Sequence, residues 1–535
     1  MTRTARRLAA ALLLESRIEW RYRVVAAAAA FAVGWTALLL VVPAPVARAL
    51  GSFVLLLDTA AFGAFFVGLL VLHERTEGAL AALRVTPLRT GEHLAAKLAV
   101  LTGLSVLAAV PVAVAAGRPG RLGSVLLGVG LAALLILTAS LVLALRQGSM
   151  TGYLTSAPLV LLPGLVVPLA YLAGLFDHPL TYLLPTTGAA ELIRSGVSGS
   201  AGSGSAGSGS SWPLAGWWRA PALAGYALVW IIGLVLLAVR RSTTGAANAP
   251  AARHRARSMA AGPWPAGLRL PWPWRAGWLP ALVRLDLRLF GADRLLIVLL
   301  GAPLLLALAL RYGFPPAARI VADRYGVDLA AHQGVLLGLL VLVHVPVIGG
   351  MIGSLLLLDD LDERHLLLLR VTPVTLERYL GYRAGSTVGL TLVGLLIAVP
   401  VSGLAVVPLR QLLAAVLLAA GQAVLILLVV AGYARNKVHG LALLKLLGGA
   451  VLALAALPWL PLPWLQSPAP VSWLSAALPP AAVTLAQQTA EASEAAGGTP
   501  LGGVLLTASY AAVGGATTMV GGMVLARRAI ARITS

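Results

Sequence analysis

Long apolar runs separated by short polar segments dominate this chain. Runs of about 20 residues are long enough to cross a bilayer as helices, and each half of the sequence contains six. In the first half they lie at 24–42, 51–72, 95–116, 122–145, 150–175 and 220–239. In the second half they lie near 295–310, 334–358, 384–406, 411–433, 440–466 and 501–526. Because backbone groups in lipid must be hydrogen-bonded within the chain, the pattern predicts an all-α integral membrane protein of about 12 transmembrane helices.

The polar segments between these runs are repeated. Leu-Arg-Val-Thr-Pro stands at 83–87 and again at 369–373, after the second apolar run of each half. The match continues at a constant spacing of 286 residues, which also relates basic Lys97 to Arg383. An internal repeat of this length indicates two pseudo-symmetric halves of six helices each.

An amphipathic segment precedes the first apolar run of each half. In the first half its apolar stretch is followed by Glu15 and Arg17, and these charges recur 271 residues later as Asp286 and Arg288. Charge so close to a short apolar stretch argues against a cleavable signal. We therefore predict amphipathic elbow helices that lie along the cytoplasmic interface.

Three parts follow along the chain. Residues 1–240 form the first six-span half, 241–280 a cytoplasmic linker that is basic and rich in Pro and Trp, and 281–535 the second half. The linker composition suits either the headgroups of membrane lipid or a solvated connector. A stretch of Gly, Ser and Ala at 195–211 predicts a flexible segment.

Composition places most of the surface in lipid, with 59% hydrophobic residues and only 11% charged ones. The net charge of +21 raises the question of nucleic acid, but most Lys and Arg fall on the side of the spans where both termini lie. That asymmetry predicts a multi-pass protein of the cytoplasmic membrane with both termini cytoplasmic, and no nucleic-acid partner. The absence of cysteine excludes disulfides and thiolate catalysis.

The segment around the repeated pentapeptide predicts a cytoplasmic helix-turn-helix. The second span continues past the membrane with charged residues on one side, and Pro87 then disfavours helical geometry at the residue before it. Thr86 is a good N-cap and Pro87 a favoured first helical residue, so a new helix is expected to begin there.

These residues resemble a family. Glu-x-x-Glu-Gly-x-Leu-x-x-Leu-x-Val-Thr-Pro-Leu, between the second and third of six spans, is similar to ABC transporter type 2 permeases, and in particular to bacterial drug-export permeases such as those for fluoroquinolones. The resemblance implies two six-span units around a substrate path and coupling helices that dock on ATP-binding subunits. The implied coupling residues are Glu74, Glu77, Arg84, Thr86 and Pro87 in the first half, and Glu363, Arg370, Thr372 and Pro373 in the second.

The resemblance also implies the partners. ATP and Mg would bind to separate ABC ATP-binding subunits, either two copies or a heterodimer, because the chain has no Gly-x-x-x-x-Gly-Lys-[Ser/Thr] loop to hold phosphates. The chain itself is expected to have no catalytic, cofactor or metal site. Its cargo is expected to be a hydrophobic or amphipathic small molecule. Gly78 is replaced by Arg364 in the second copy, so the two docking surfaces should differ.

One carboxylate, Asp58, lies within a predicted span, and its repeat partner is His344. Ionisable residues in membrane spans are costly and often functional, which makes this pair a candidate for the translocation path. A structural contact between helices is the alternative interpretation.

Two other function classes remain open from sequence. A secondary transporter also commonly has two repeats, and Asp58 would be its coupling group. A membrane enzyme acting on a lipid-linked substrate would use the acidic residues at 359–363 to hold a metal ion.

Overall fold

The computed structural model describes most of the helical part of the chain. The described residues are 3–41, 44–60, 62–76, 78, 86–117, 122–147, 150–174, 178–198, 219–244, 279–280, 282–284, 286–287, 294–325, 333–362, 374–404, 409–434, 437–456 and 500–534. Over these residues the chain is helical and contains no strand. The chain divides into two compact units, Met1–Pro273 and Trp274–Ser535. The predicted all-α class is confirmed.

The first unit contains nine α-helices within its described part. They are α1 (Arg3–Arg21), α2 (Val24–Val41), α3 (Ala44–Val54), α4 (Phe62–Thr76), α5 (Thr90–Ala116), α6 (Leu122–Arg146), α7 (Met150–Leu172), α8 (Pro185–Ser198) and α9 (Arg219–Thr244). A π-helical turn, Leu55–Ala60, stands between α3 and α4, and a 3-10 helix, Pro179–Leu183, precedes α8.

The second unit begins with short helical stretches at 279–280, 282–284 and 286–287, which we call the second elbow. The helices that follow are α10 (Arg294–Tyr325), α11 (Gln333–Leu337), α12 (His344–Asp362), α13 (Leu376–Ser402), α14 (Leu409–Tyr433), α15 (Lys437–Ala456) and α16 (Pro500–Thr534). A π-helical turn, Gly338–Leu342, joins α11 to α12.

Eight helices of the described residues are by themselves long and apolar enough to cross a membrane, and a ninth span results if the bent pair α1 and α2 is counted. The pair is bent by 68°. Arg23 lies at this bend with a φ of 58°, in the left-handed region that non-glycine residues rarely adopt. The amphipathic α1 therefore leaves the direction of the first span abruptly, as the predicted elbow requires.

Helix α6 forms the centre of the first unit, where it packs against α4, α5, α8 and α9. The approach of α8 depends on Gly128, because a Cβ there would lie 2.8 Å from the carbonyl oxygen of Ala189. Helix α8 is a short helix that follows the fifth span and its 3-10 turn. Residues 474–479, which repeat the Leu-Leu-Pro pattern of 180–185, lie outside the described residues, as do the linkers at 199–218 and 245–278.

Helix α12 occupies a similar place in the second unit, packed between α13 and α14. Gly349 and Gly353 face Thr391 and Thr387 of α13, and a Cβ on either glycine would lie within 3.4 Å of the threonine Cβ. The two glycines therefore permit close packing of α12 against α13. This contact fixes the distance between the second and third spans of the unit.

Candidate functional site

A buried set of charged side chains joins three helices of the first unit, and we call it the first charge cluster. It consists of Glu15 on α1, Glu74 at the end of α4, and His93 and Lys97 near the start of α5. The Lys97 ammonium lies 2.8 Å from Glu15 Oε2 and 2.8 Å from Glu74 Oε1. The His93 ring lies between the same acids, with Nδ1 3.1 Å from Glu15 Oε1 and Nε2 3.2 Å from Glu74 Oε2. Lys97 therefore hydrogen-bonds both carboxylates, whereas His93 hydrogen-bonds Glu74 and lies close to Glu15 without hydrogen-bond geometry.

Burial makes these contacts mutually dependent. The side chains of Lys97 and Glu15 are fully inaccessible to solvent, and that of Glu74 is 12% exposed. Burial alone would raise the pKa of Glu74, but the hydrogen bond with His93 and the charge of Lys97 hold this pKa below its usual range. Glu74 is therefore ionised, and its charge is neutralised within the protein rather than by water.

Glu19 lies one helical turn beyond Glu15 on the same helix. It is completely buried, and neither of its carboxylate oxygens has a hydrogen-bond partner among the described residues. Burial raises the pKa of Glu19 to about 8, against the opposing charge of Lys97 and with the help of the charges of Glu15 and Glu74. Glu19 is therefore mostly protonated at neutral pH.

The donor set of this cluster could also suit a metal ion. One atom each from Glu15, Glu74 and His93 lies within 4.8 Å of the others. However, the Lys97 ammonium already donates to both carboxylates at 2.8 Å. A lysine at that distance supplies the positive charge that a metal would bring, so we interpret the cluster as an ion-pair junction.

The second unit contains an equivalent arrangement, the second charge cluster, formed by Asp286 on the second elbow, Asp360 on α12, and Tyr379 and Arg383 on α13. Arg383 Nη1 lies 2.8 Å and 2.9 Å from the two oxygens of Asp286, and Nη2 lies 2.7 Å from Asp360 Oδ2. Arg383 Nε donates to the hydroxyl of Tyr379 at 2.8 Å, and that hydroxyl donates to Asp360. The hydroxyl of Tyr382 adds a 2.7 Å bond to Asp286.

The two clusters occupy the same positions of the internal repeat. The sequence shows that these residues match between the halves, but no local sequence pattern predicts that an elbow residue contacts a residue of the third span. The feature that could have indicated the contact is that both acids and the central base keep the same sign of charge in the two halves. The corresponding residues are Glu15 with Asp286, Glu74 with Asp360, His93 with Tyr379, and Lys97 with Arg383.

The geometry links the elbow mechanically to the connection between the second and third spans. Glu74 stands immediately before that connection, and His93 and Lys97 stand after it. Removing one partner of a buried ion pair costs about 3–5 kcal/mol, since the other charge stays buried and unpaired. The elbow, the end of α4 and the start of α5 are therefore expected to move together when the connection between them is displaced.

The predicted coupling residues have different locations. Glu74 points into the first charge cluster, whereas Thr86 and Pro87 are exposed beside the start of α5. The remaining predicted coupling residues, which are Glu77, Arg84, Glu363, Arg370, Thr372 and Pro373, lie outside the described residues. Their contact with a partner stays a prediction.

The predicted start of the helix after the repeated pentapeptide was wrong. We expected Thr86 to be the N-cap and Pro87 the first helical residue, but α5 begins at Thr90. The Thr86 hydroxyl instead accepts a 3.4 Å hydrogen bond from the backbone N–H of Leu88, within the turn.

A glutamate explains the later start of α5. Glu92 Oε2 accepts a 3.0 Å hydrogen bond from the backbone N–H of Arg89 and thereby caps the helix from its first turn. Arg7 on α1 donates to the other oxygen of Glu92 at 2.9 Å. In the second unit α13 begins at the equivalent position, and Thr375 is its N-cap, with the hydroxyl accepting from the N–H of Arg378 at 3.3 Å.

The proposed path residues lie at related places in their units. Asp58 is part of the π-helical turn Leu55–Ala60, and His344 is the first residue of α12, just after the π-helical turn Gly338–Leu342. His344 is half-buried. π-Helical turns are rare and occur often at functional sites. The role of both residues in a translocation path stays a prediction.

Family comparisons match each half separately. Residues 6–243 match a family model described as the fluoroquinolones export permease protein family. Residues 286–514 match a model described as fluoroquinolones export permease protein Rv2686c-like. Each match includes the charge cluster of its own unit.

Curated relatives agree with these models. Fluoroquinolones export permease protein Rv2686c of Mycobacterium tuberculosis is 34% identical over 182 residues, which cover 34% of this chain and 72% of the relative. Fluoroquinolones export permease protein Rv2687c of the same organism is 36% identical over 188 residues, which cover 35% of this chain and 79% of the relative. No solved structure matches the chain.

Proposed function

Since the chain belongs to the fluoroquinolone export permease family and is a multi-pass membrane permease of an exporter, we propose that separate ABC ATP-binding subunits drive its transport. Its cargo would be a hydrophobic or amphipathic small molecule, and a fluoroquinolone is the first compound to test because the relatives carry that name. Export would proceed across the cytoplasmic membrane, with both termini on the cytoplasmic side.

One observation carries this proposal. In each unit a buried base at the start of the third span binds an acid of the elbow and an acid at the end of the second span. Along the chain, the acid of the second span precedes the short connection that would receive an ATPase subunit, and the base follows it. A push on that connection would therefore reach three elements in each unit through direct ion pairs.

ATP would be hydrolysed outside the chain. A phosphate-binding loop is absent from the sequence, so ATP and Mg would bind to the partner subunits, as two copies or as a heterodimer. Closure of these subunits on ATP would favour one conformation of the permease, and cargo would be released through the difference in its affinity between conformations.

The clusters suggest how the test should be built. We would co-purify the full chain with candidate ABC ATP-binding subunits and measure ATP-dependent uptake of a fluorescent fluoroquinolone into inverted membrane vesicles. Lys97→Gln combined with Arg383→Gln should retain the ATPase subunits but lose most of the cargo-stimulated ATP hydrolysis. Arg146→Gln, which changes an exposed arginine at the end of a span, is the matched control and should behave like the wild type.

Two outcomes would contradict the proposal. Uptake that continues without any ATPase subunit and follows an ion gradient would favour a secondary transporter. Stable ATPase association together with normal stimulation in the double variant would show that the charge clusters do not transmit the signal. The folded fraction of each variant is checked by size-exclusion chromatography, so that misfolding is not mistaken for uncoupling.

A further inference from the structure

A groove of about 610 Å³ lies between the second elbow and α13. The elbow side consists of Leu279, Val283 and Leu287, and the floor on α13 includes Gly381 and Gly385. Leu279 and Leu287 are 48% and 54% exposed, so the elbow presents apolar side chains at the side of the groove. The groove is therefore an apolar surface that the described residues of the unit do not cover.

The floor of the groove is open because of its glycines. A Cβ at Gly381 or Gly385 would have no atom within 4 Å, so both positions face empty space. The equivalent positions of the first unit carry Ala95 and Ala99. The second unit thus lacks two methyl groups that the first unit carries, and bare backbone forms this part of its floor.

The mouth of the groove differs in charge between the units. Arg378 lines the groove in the second unit and is exposed, and its guanidinium has no ion pair among the residues that the structure describes. The equivalent residue of the first unit is Glu92, which is bound to Arg7. Deeper in the groove, Asp286 is already neutralised by Arg383. Arg378 therefore determines the sign of the ligand, which must be negative at this end.

The length of the groove matches one leaflet of a bilayer. Arg378 and Leu390 both line it, and at a rise of 1.5 Å per residue they lie about 18 Å apart along α13. Half of the hydrocarbon core of a bilayer is about 15 Å thick. Because α13 is one of the helices long and apolar enough to cross the membrane, Arg378 would stand near the headgroups and Leu390 toward the middle of the bilayer.

We propose that this groove binds one anionic phospholipid, with its phosphate at Arg378 and an acyl chain along Gly381 and Gly385. The charge of Arg378 would position the headgroup at one end of the groove. The apolar floor, about as long as one leaflet is thick, would position the acyl chain. The proposal does not depend on the cargo or on the ATPase. It predicts a specific lipid in the second unit and not at the equivalent place of the first, where Glu92, paired with Arg7, replaces the arginine that would bind the phosphate.

Native mass spectrometry of the full chain can test this. The chain is purified in mild detergent and titrated with phosphatidylglycerol or with phosphatidylcholine of the same acyl chains. The wild type should retain phosphatidylglycerol preferentially. Arg378→Glu, which copies the first unit, should lower that preference about fivefold or more, because one basic residue near the surface contributes about 1 kcal/mol to the binding of anionic lipid.

A second variant separates the acyl chain from the headgroup. Gly385→Leu should reduce retention of both phospholipids, since the added side chain occupies the floor. Gly385→Ala, which copies the first unit, adds one methyl group and should reduce retention less. Arg146→Glu is the charge-matched control outside the groove and should leave the preference unchanged. Thermal unfolding without lipid verifies that all variants are folded.

Several results would overturn the assignment. The first is that Arg378→Glu leaves the preference for phosphatidylglycerol unchanged and Gly385→Leu leaves lipid retention unchanged. The second is that inorganic phosphate alone displaces the lipid. The third is that a soluble carboxylated amphiphile binds and phospholipid does not. The last result would identify the groove as a small-molecule site instead.

Discussion

The two charge clusters make the same connection with different side chains. The first uses Lys97, a compact charge, together with His93, and it leaves a third carboxylate, Glu19, buried beside it. The second uses Arg383, whose planar guanidinium reaches Asp286 and Asp360 at once. An arginine fork fixes the direction of its partners, whereas an ammonium mainly fixes their distance.

This difference indicates that the first cluster is the more adjustable junction. Its lysine has freely rotating donors, and its surplus acid can gain or lose a proton near neutral pH. In the second cluster the base, both acids and two tyrosine hydroxyls are all hydrogen-bonded to one another. The second unit would therefore hold its elbow more rigidly, and the elbow contacts of the first unit would change with pH.

The largest expected effect comes from removing the central base. Arg383→Met should lower the free energy of unfolding by about 3–5 kcal/mol, because Asp286 and Asp360 would both lose their counter-charge while buried. Lys97→Met should have a smaller effect, since His93 still contacts both acids. Unfolding in mixed micelles measures both values. A larger loss in Lys97→Met would contradict the view that the second junction is the more rigid one.

The next effect is a pH dependence confined to the first unit. The pKa of Glu19 is about 8 in the folded protein, above its value in the unfolded chain. The folded state therefore holds the proton more tightly, and stability is greatest below the unfolded pKa, falls as pH rises, and levels off above about 8. The slope should be at most about 1.4 kcal/mol per pH unit.

Glu19→Gln should remove that slope. Gln cannot ionise, so the variant should unfold with a flatter pH profile between about pH 5 and 8 while keeping similar stability at the acidic end. The second half has Phe290 at the corresponding position, and no comparable slope is expected from it. An unchanged profile in the variant would assign the pH dependence to another group.

A smaller effect is expected from the packing beneath the second cluster. Gly353→Ala should destabilise the protein by about 1–3 kcal/mol, because the added methyl group collides with Thr387 of α13. The collision should also separate Asp360 from Arg383. Gly301→Ala, where a Cβ has no neighbour within 4 Å, is the control and should be neutral or slightly stabilising. Equal stability of both variants would show that α12 and α13 can move apart freely.

The smallest effect concerns one hydroxyl group. Tyr379→Phe removes the group that accepts from Arg383 and donates to Asp360, which should cost about 1–2 kcal/mol. His93→Phe makes the corresponding change in the first cluster and should cost more, because Phe offers neither of the two contacts of the imidazole. Unfolding of the two variants side by side measures the difference.

Much of the fold could be predicted from the sequence because the two patterns that predict it extend over many residues. Apolar runs of bilayer length identify helices without any local detail, and the constant spacing of 286 residues identifies the repeat across many positions. The start of α5 was misplaced because Thr86 and Pro87 are good local signals for a helix start. The side chain of Glu92, in the first turn of α5 and held by Arg7 of the distant helix α1, outweighed them.

The charge clusters could be predicted only in part for the same reason. The repeat identified each acid and base in the sequence. Whether they contact one another depends on how α1 packs against α5, and the sequence does not predict that packing. Glu74 illustrates the consequence. Its place before the repeated pentapeptide indicated an outward docking residue, whereas the structure turns its carboxylate toward Lys97 and His93.

The presence of both compact units on one chain has a consequence for inheritance. Every molecule that the cell makes contains one lysine-based and one arginine-based cluster, in a fixed ratio that no change in expression can alter. A substitution in one unit therefore changes one cluster of the chain and leaves the other unchanged. The two halves can therefore carry different side chains at matching positions, as Lys97 and Arg383 do.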